Sequence, residues 1–140
     1  MKTILIIDDE ESIRASLTGI LQDEGFRTLS AESGEQGLSV LKDEDPDLIL
    51  LDIWMPGIDG IETLRKIREI TPDQLVIMMS GHGTIETAVK ATKLGAYDFI
   101  EKPLSLEKLL LAAQNALTIG QLVEENRTLK ARIAKEHEMI

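Results

Sequence analysis

LILLDIWMPGIDG, residues 48–60, decides the fold. Four consecutive aliphatic residues, Leu48 to Leu51, run into an acid, Asp52. Then come Trp54, a Met-Pro-Gly turn and a second acid, Asp59. An apolar run without polar alternation is the mark of a strand buried on both faces, as when helices cover a parallel sheet. Such a strand holds a carboxylate rigidly at its tip. Asp59 reads as a structural residue, the cap of the amphipathic helix IETLRKIREI (61–70) that follows.

Outward from this strand the pattern recurs. ILII (4–7) ends in Asp8-Asp9, and a helix from Ser12 to about Glu24 carries Ile13, Leu17, Ile20 and Leu21 on one face before Gly25 stops it. RTLSA (27–31) is a weak strand, and Ser33-Gly34 opens a helix with Gly37, Leu38 and Leu41 inward. LVIMM (75–79) is a buried strand in which Met78 and Met79 are core residues; Ser80-Gly81-His82-Gly83 and a helix over 84–95 follow. DFI (98–100) is a short strand before Glu101-Lys102-Pro103, and a long helical pattern starts at Ser105. Leu106, Leu109, Leu110, Ala113 and Leu117 are expected to face the sheet. Strand and helix alternate five times, which predicts an α/β, doubly wound fold around a parallel sheet.

The 140 residues are 43% hydrophobic, with only four Phe, Trp or Tyr, so the core is aliphatic. There is no cysteine, which excludes disulfides and thiolate metal sites. The apolar run at the N-terminus is too short for a signal peptide, and nothing approaches the ~20 apolar residues of a membrane span. A soluble, cytoplasmic protein with no membrane partner is expected. The net charge is −10; residues 118–140 are balanced, so the excess acid lies in residues 1–117. That surface repels a nucleic-acid backbone, so direct nucleic-acid binding is not expected of this chain.

The residues that end the strands carry the chemistry. Asp8 and Asp9 follow the first, Asp52 the third, Ser80 the fourth and Lys102 the fifth. In open parallel sheets the ligand crevice lies outside the carboxyl ends of the strands, so the fold gathers these scattered residues at one edge. Taken singly, each has a plainer role: acids at a helix start, a turn serine, a solvated lysine. Gathered carboxylates repel one another and raise their own pKa values unless a cation joins them. With oxygen donors and no cysteine, that ion is Mg²⁺, which keeps waters that a phosphate oxygen can replace. Lys102 supplies a compact positive charge and Ser80 a hydroxyl for other phosphoryl oxygens, and Asp52 suits a nucleophile that forms an acyl phosphate.

IIDDE, LILLDIWMPGIDG, MMSGHG and FIEKP, in this order at successive strand ends, resemble the receiver domain of bacterial two-component response regulators. The resemblance covers residues 1 to about 120. DIWMPG, SGHGTIETAVKATKLGAYDF and EKPL look most like receivers of nitrogen-regulation-type, sigma-54-dependent transcription activators. It implies a flavodoxin-like strand order 2-1-3-4-5, and phosphorylation of Asp52 by a sensor histidine kinase. It implies Mg²⁺ held by Asp9, Asp52 and the Trp54 carbonyl, with Asp8 acting through water. Lys102 and Ser80 would contact the phosphoryl group, Ser80 and Phe99 would form a conformational switch, and the Lys102–Pro103 peptide would be cis. Phe99 stands where the family often has Tyr, so its movement must be driven by packing alone. His82, two residues beyond Ser80, and the bulk of Trp54 are candidates for controlling dephosphorylation.

An aspartate-nucleophile, Mg²⁺-dependent phosphatase of the haloacid-dehalogenase type is the alternative. That chemistry needs an acid two residues past the nucleophile, and Trp54 there cannot protonate a leaving group. The expected protein is a phosphoacceptor that assists its own phosphorylation and dephosphorylation, rather than an enzyme. Residues 1–118 form the receiver in this reading. Residues 119–140 form a linker helix toward an output domain outside this sequence. Ile119, Leu122, Asn126, Leu129 and Ile133 follow a heptad spacing, with Asn126 at an a position, which predicts a parallel homodimer. Gly120 weakens the continuity of that helix.

Overall fold

A computed structural model describes residues 1–81, 84–102 and 105–138, with side chains described as far as Leu122. The apolar runs form strands β1 (Thr3–Ile7), β2 (Arg27–Ala31), β3 (Leu48–Asp52), β4 (Val76–Ser80) and β5 (Asp98–Glu101). All pairings are parallel and the order is β2-β1-β3-β4-β5, as the resemblance implied. Helices α1 (Glu11–Asp23), α2 (Gly34–Val40), α3 (Gly60–Ile70), α4 (Ile85–Lys93) and α5 (Leu106–Glu138) alternate with the strands.

Every residue of β1, β3 and β4 is buried, because helices lie over both faces. Successive side chains of a strand point to opposite faces, which divides the core in two. Ile4, Ile6, Leu48, Leu50, Ile77 and Met79 pack with Leu17 and Leu21 of α1 and with Leu109, Ala113 and Ala116 of α5. Leu5, Ile7, Ile49, Leu51, Val76 and Met78 pack with Leu64 and Ile67 of α3 and Ala91 of α4. Each fully buried Leu or Ile contributes about 1.5–3 kcal/mol relative to exposure, so the three central strands are the rigid base of the sheet edge.

Ala91 is the one buried residue of α4. Arg68 of α3 holds the far end of that helix: its guanidinium donates to the carbonyls of Leu94 at 2.8 Å and Gly95 at 2.6 Å. A third bond runs to the Gln74 carbonyl, so one cation joins α3, the entry to β4 and the end of α4. The Leu94 and Gly95 carbonyls close the C-terminal end of α4, where a helix leaves its last carbonyls without partners.

One expectation for α5 needs correction. Leu106 is 45% exposed rather than against the sheet. It sits in the first turn and borders a groove with Ser12, Ser16 and Ile20 of α1. The sheet-facing stripe is instead Leu109, Ala112, Ala113, Ala116 and Leu117. α5 runs through Gly120, from Leu106 to Glu138. A Cβ at Gly120 would lie 2.8 Å from Leu75 Cδ1, so the missing side chain lets α5 pass close over the start of β4. The side chains of Asn126, Leu129 and Ile133 lie outside the described residues; Ile119 and Leu122 are exposed. Among the described residues, no helix is long and apolar enough to cross a membrane.

Candidate functional site

Strand register assembles the site. Ile7 pairs with Leu51, Asp52 with Met79 and Ser80 with Glu101. Asp8, Asp52, Ser80 and Lys102 therefore leave neighbouring strand ends at nearly one level. Asp8, Asp52 and Ser80 are buried, with Asp8 and Ser80 at 0% exposure.

Lys102 is the centre of this group. Its Nζ donates to Asp8 Oδ2 at 2.8 Å and lies 3.4 Å from Asp52 Oδ1. Its backbone N–H donates to the Ser80 carbonyl at 2.7 Å, which ties the chain after β5 to the end of β4. Burial alone would lower the pKa of this ammonium. The Asp8 hydrogen bond and the charges of Asp52, Asp8 and Glu10 outweigh that and hold it above the ordinary lysine value. Asp52 moves the same way for an opposite reason. Burial, then the charge of Asp8, push its carboxyl up to about 6, against the pull of Lys102.

Asp8 is fixed on every side. Its N–H donates to the Ala31 carbonyl at 3.1 Å and its Oδ1 accepts the Glu10 N–H at 2.9 Å. Its own carbonyl accepts from Arg14 Nη1 at 2.8 Å. With both carboxylate oxygens engaged, Asp8 braces the turn, while Asp9 and Glu10 stand exposed beside it. Carboxylate oxygens of Asp8, Asp9 and Glu10 fall within 4.8 Å of one another. An all-oxygen donor set carrying surplus negative charge, with Asp52 strained toward its protonated form, fits a hard divalent cation. The strand-end pattern does not mark Glu10 or Arg14, though the third acid of Asp8-Asp9-Glu10 is a visible signal in the sequence.

The β3–α3 connection is set by a close approach. Asp59 caps α3 as expected, accepting the Glu62 N–H at 2.8 Å, and the helix begins one residue earlier than its apolar pattern, at Gly60. A Cβ on Gly60 would collide with the Asp52 carbonyl oxygen and lie 2.6 Å from Ile53 Cα. Only a glycine lets the start of α3 press against the end of β3. Trp54 projects from this connection and is 52% exposed. Phe99 is partly buried against the core between the sheet and α3 and α4. His82 and Pro103, and with Pro103 the Lys102–Pro103 peptide, lie outside the described residues.

Residues 4–114 match the response regulator receiver domain. The chain is 44% identical over 139 residues to the nitrogen assimilation regulatory protein NtrX of Azorhizobium caulinodans, covering 98% of this chain and 30% of that protein. A crystal structure of NtrX from Brucella abortus superposes with a TM-score of 0.86 at 45% identity, over 92% of this chain and 30% of that one. The beryllofluoride-activated NtrC4 receiver domain dimer, solved in solution, gives 0.82 at 43% identity, over 86% of this chain and 99% of that one. The chain thus spans less than a third of the curated NtrX relatives it matches.

Proposed function

The chain belongs to the response regulator receiver domain family, and from that premise we propose that Asp52 is its phosphoacceptor and a sensor histidine kinase its donor. Residues 1–118 are the receiver in this reading, and 119–140 the linker helix toward an output domain that activates transcription. The NtrX relative, a nitrogen assimilation regulatory protein, and a 39% identical relative, the C4-dicarboxylate transport transcriptional regulatory protein DctD of Pseudomonas aeruginosa, support that output. The reading is carried by one observation: a single ammonium, Lys102, held between the buried carboxylates of Asp8 and Asp52.

A carboxylate oxygen of Asp52 attacks phosphorus as the P–N bond of a phosphohistidine breaks, and the released imidazole nitrogen takes its proton from solvent. Lys102 meets charge on one phosphoryl oxygen and Ser80 offers its hydroxyl to another. Asp9, Asp52 and the Trp54 carbonyl would hold Mg²⁺, with Asp8 behind a water and Glu10 alongside. The ion would neutralise carboxylate and phosphoryl charge together. Phosphorylation draws Lys102 and Ser80 toward Asp52, and Phe99 follows by repacking against α4. The spacing of Ile119, Leu122, Asn126, Leu129 and Ile133 supports a homodimer along the linker, in a cytoplasmic protein.

Incubation with acetyl phosphate and Mg²⁺ should add the mass of one phosphoryl group to the intact protein and change its oligomeric size. An Asp52→Ala control should gain nothing. An unmodified wild-type mass would overturn the proposal.

The Trp54 indole, half exposed beside the acceptor, limits the approach of water to phosphorylated Asp52. His82 is the second candidate for such control, by its position two residues after Ser80. In a chase after removal of phosphodonor, Trp54→Ala should lose its phosphoryl group severalfold faster than wild type. An unchanged rate would sink this role.

A further inference from the structure

The connection that carries Trp54 is anchored at three points. Ile53 N–H donates to the Met79 carbonyl at 3.0 Å, and Gly60 N–H donates to the Ile53 carbonyl at 2.7 Å. The third anchor comes from α2. Glu35, in its first turn, accepts the Ile58 N–H on Oε1 at 3.0 Å, across 23 residues of sequence. This bond is the first cause that lowers the Glu35 pKa, so the carboxylate stays ionised.

The surrounding backbone is shaped to admit this contact. Gly57 takes a φ of +81°, which favours glycine, and a Cβ there would fall 2.6 Å from Glu35 Oε1. Next to Glu35, a Cβ on Gly34 would lie 2.8 Å from Ile58 Cγ1 and strike Thr63 Oγ1. Thr63 in turn donates to the Asp59 carbonyl at 2.7 Å. Two glycines thus bring the first turn of α2 onto the outer side of the connection, while Gly60 holds its inner side against Asp52. Trp54, Met55 and Pro56 lie between the anchors, and Pro56 has no N–H with which to fix itself.

We infer that Glu35 is a positioning residue for the cation site: by holding Ile58 and Gly57 it sets where the Trp54 carbonyl points. The inference rests on the proposed role of that carbonyl as a Mg²⁺ ligand. Glu35 never touches the ion; it restricts the backbone that does. Groups that orient metal ligands commonly change affinity by about 10–100-fold when removed. Glu35 acts one link further out, so the low end applies.

The test is a Mg²⁺ titration of the 140-residue chain as wild type, Glu35→Ala and Glu35→Gln. It is followed by calorimetry and by the fluorescence of Trp54, the one tryptophan in these 140 residues. Glu35→Ala should bind Mg²⁺ about tenfold more weakly. Glu35→Gln should stay within about twofold of wild type, because its amide oxygen still accepts the Ile58 N–H. At saturating Mg²⁺ the phosphorylation rate of Glu35→Ala should recover, a change in apparent Mg²⁺ affinity and not in maximal rate. Wild-type affinity in Glu35→Ala would overturn the inference. So would a Gln variant as weak as the Ala variant, since that result assigns the effect to charge alone. Should Glu35→Ala fail to fold, Glu35→Ser, whose side chain is too short to reach the Ile58 N–H, takes its place under the same criteria. Failure of the underlying metal reading looks different: Asp9→Asn would then bind Mg²⁺ as wild type does.

Discussion

Asp52→Asn should take up no phosphoryl group and yet, without metal, be more stable than wild type by about 2 kcal/mol near pH 7.5. Burial and the neighbouring Asp8 raise the Asp52 carboxyl from 3.8 to about 6 in the folded protein. The folded state therefore holds this proton more tightly than the unfolded chain does. Protonation favours folding in full below about pH 4, and that contribution is lost as the pH rises from there through about 6. Taken at face value the shift corresponds to about 3 kcal/mol, and solvent at the mouth of the crevice screens part of it. Asparagine keeps the shape and removes the charge. Its advantage should be constant above about pH 6, shrink on acidification and vanish near pH 4. Urea melts of both proteins in EDTA at four pH values measure this. Equal stability near pH 7.5, or a gap that widens on acidification, would contradict it. The acceptor is thus a site where stability is given up to keep a charge in place.

The strand-end residues were legible because the strands were. ILII, LILL and LVIMM are unbroken apolar runs. Once such runs are parallel and adjacent, Asp8, Asp52, Ser80 and Lys102 have nowhere to go but one edge. What sequence did not reveal depends on contacts between distant elements. Glu35 lies in an ordinary helical turn, and only the fold places Ile58 above it. Arg68 looks like a solvated charge on an amphipathic helix until the end of α4 arrives beneath it. Asp59 was legible as a cap; the collision a side chain at Gly60 would make with the Asp52 carbonyl was not, because β3 must first be set against α3. Helical spacing put Leu106 on the sheet side, but periodicity cannot tell that a first turn looks into the groove with α1. For Gly120, propensity points to a weak place in α5, and only the fold shows that Leu75 stands where its side chain would be.

Lys102→Met should slow phosphorylation by a small phosphodonor about 100-fold or more, the range for losing a preorganised charge aimed at a transferring group. It should also destabilise the protein by about 3 kcal/mol, because fully buried Asp8 loses its ammonium partner at 2.8 Å. Asp52 would feel the change as well. Lys102 opposes the burial and the Asp8 charge that raise the Asp52 pKa, so the variant's rate should begin to fall at a higher pH on acidification. Lys102→Arg should recover part of the stability and little of the rate. One nitrogen atom serves Asp8 at 2.8 Å and Asp52 at 3.4 Å, and a planar fork cannot occupy that point. Combining Lys102→Met with Asp52→Asn separates the two effects. With Asp52 neutral, Asp8 no longer faces a second buried charge, so the double variant should be more stable than the sum of the single changes predicts. Strict additivity in urea melts would mean that Asp8 and Asp52 are not coupled through Lys102, and the reading of Lys102 as the shared counter-ion of the acceptor site would fall with it.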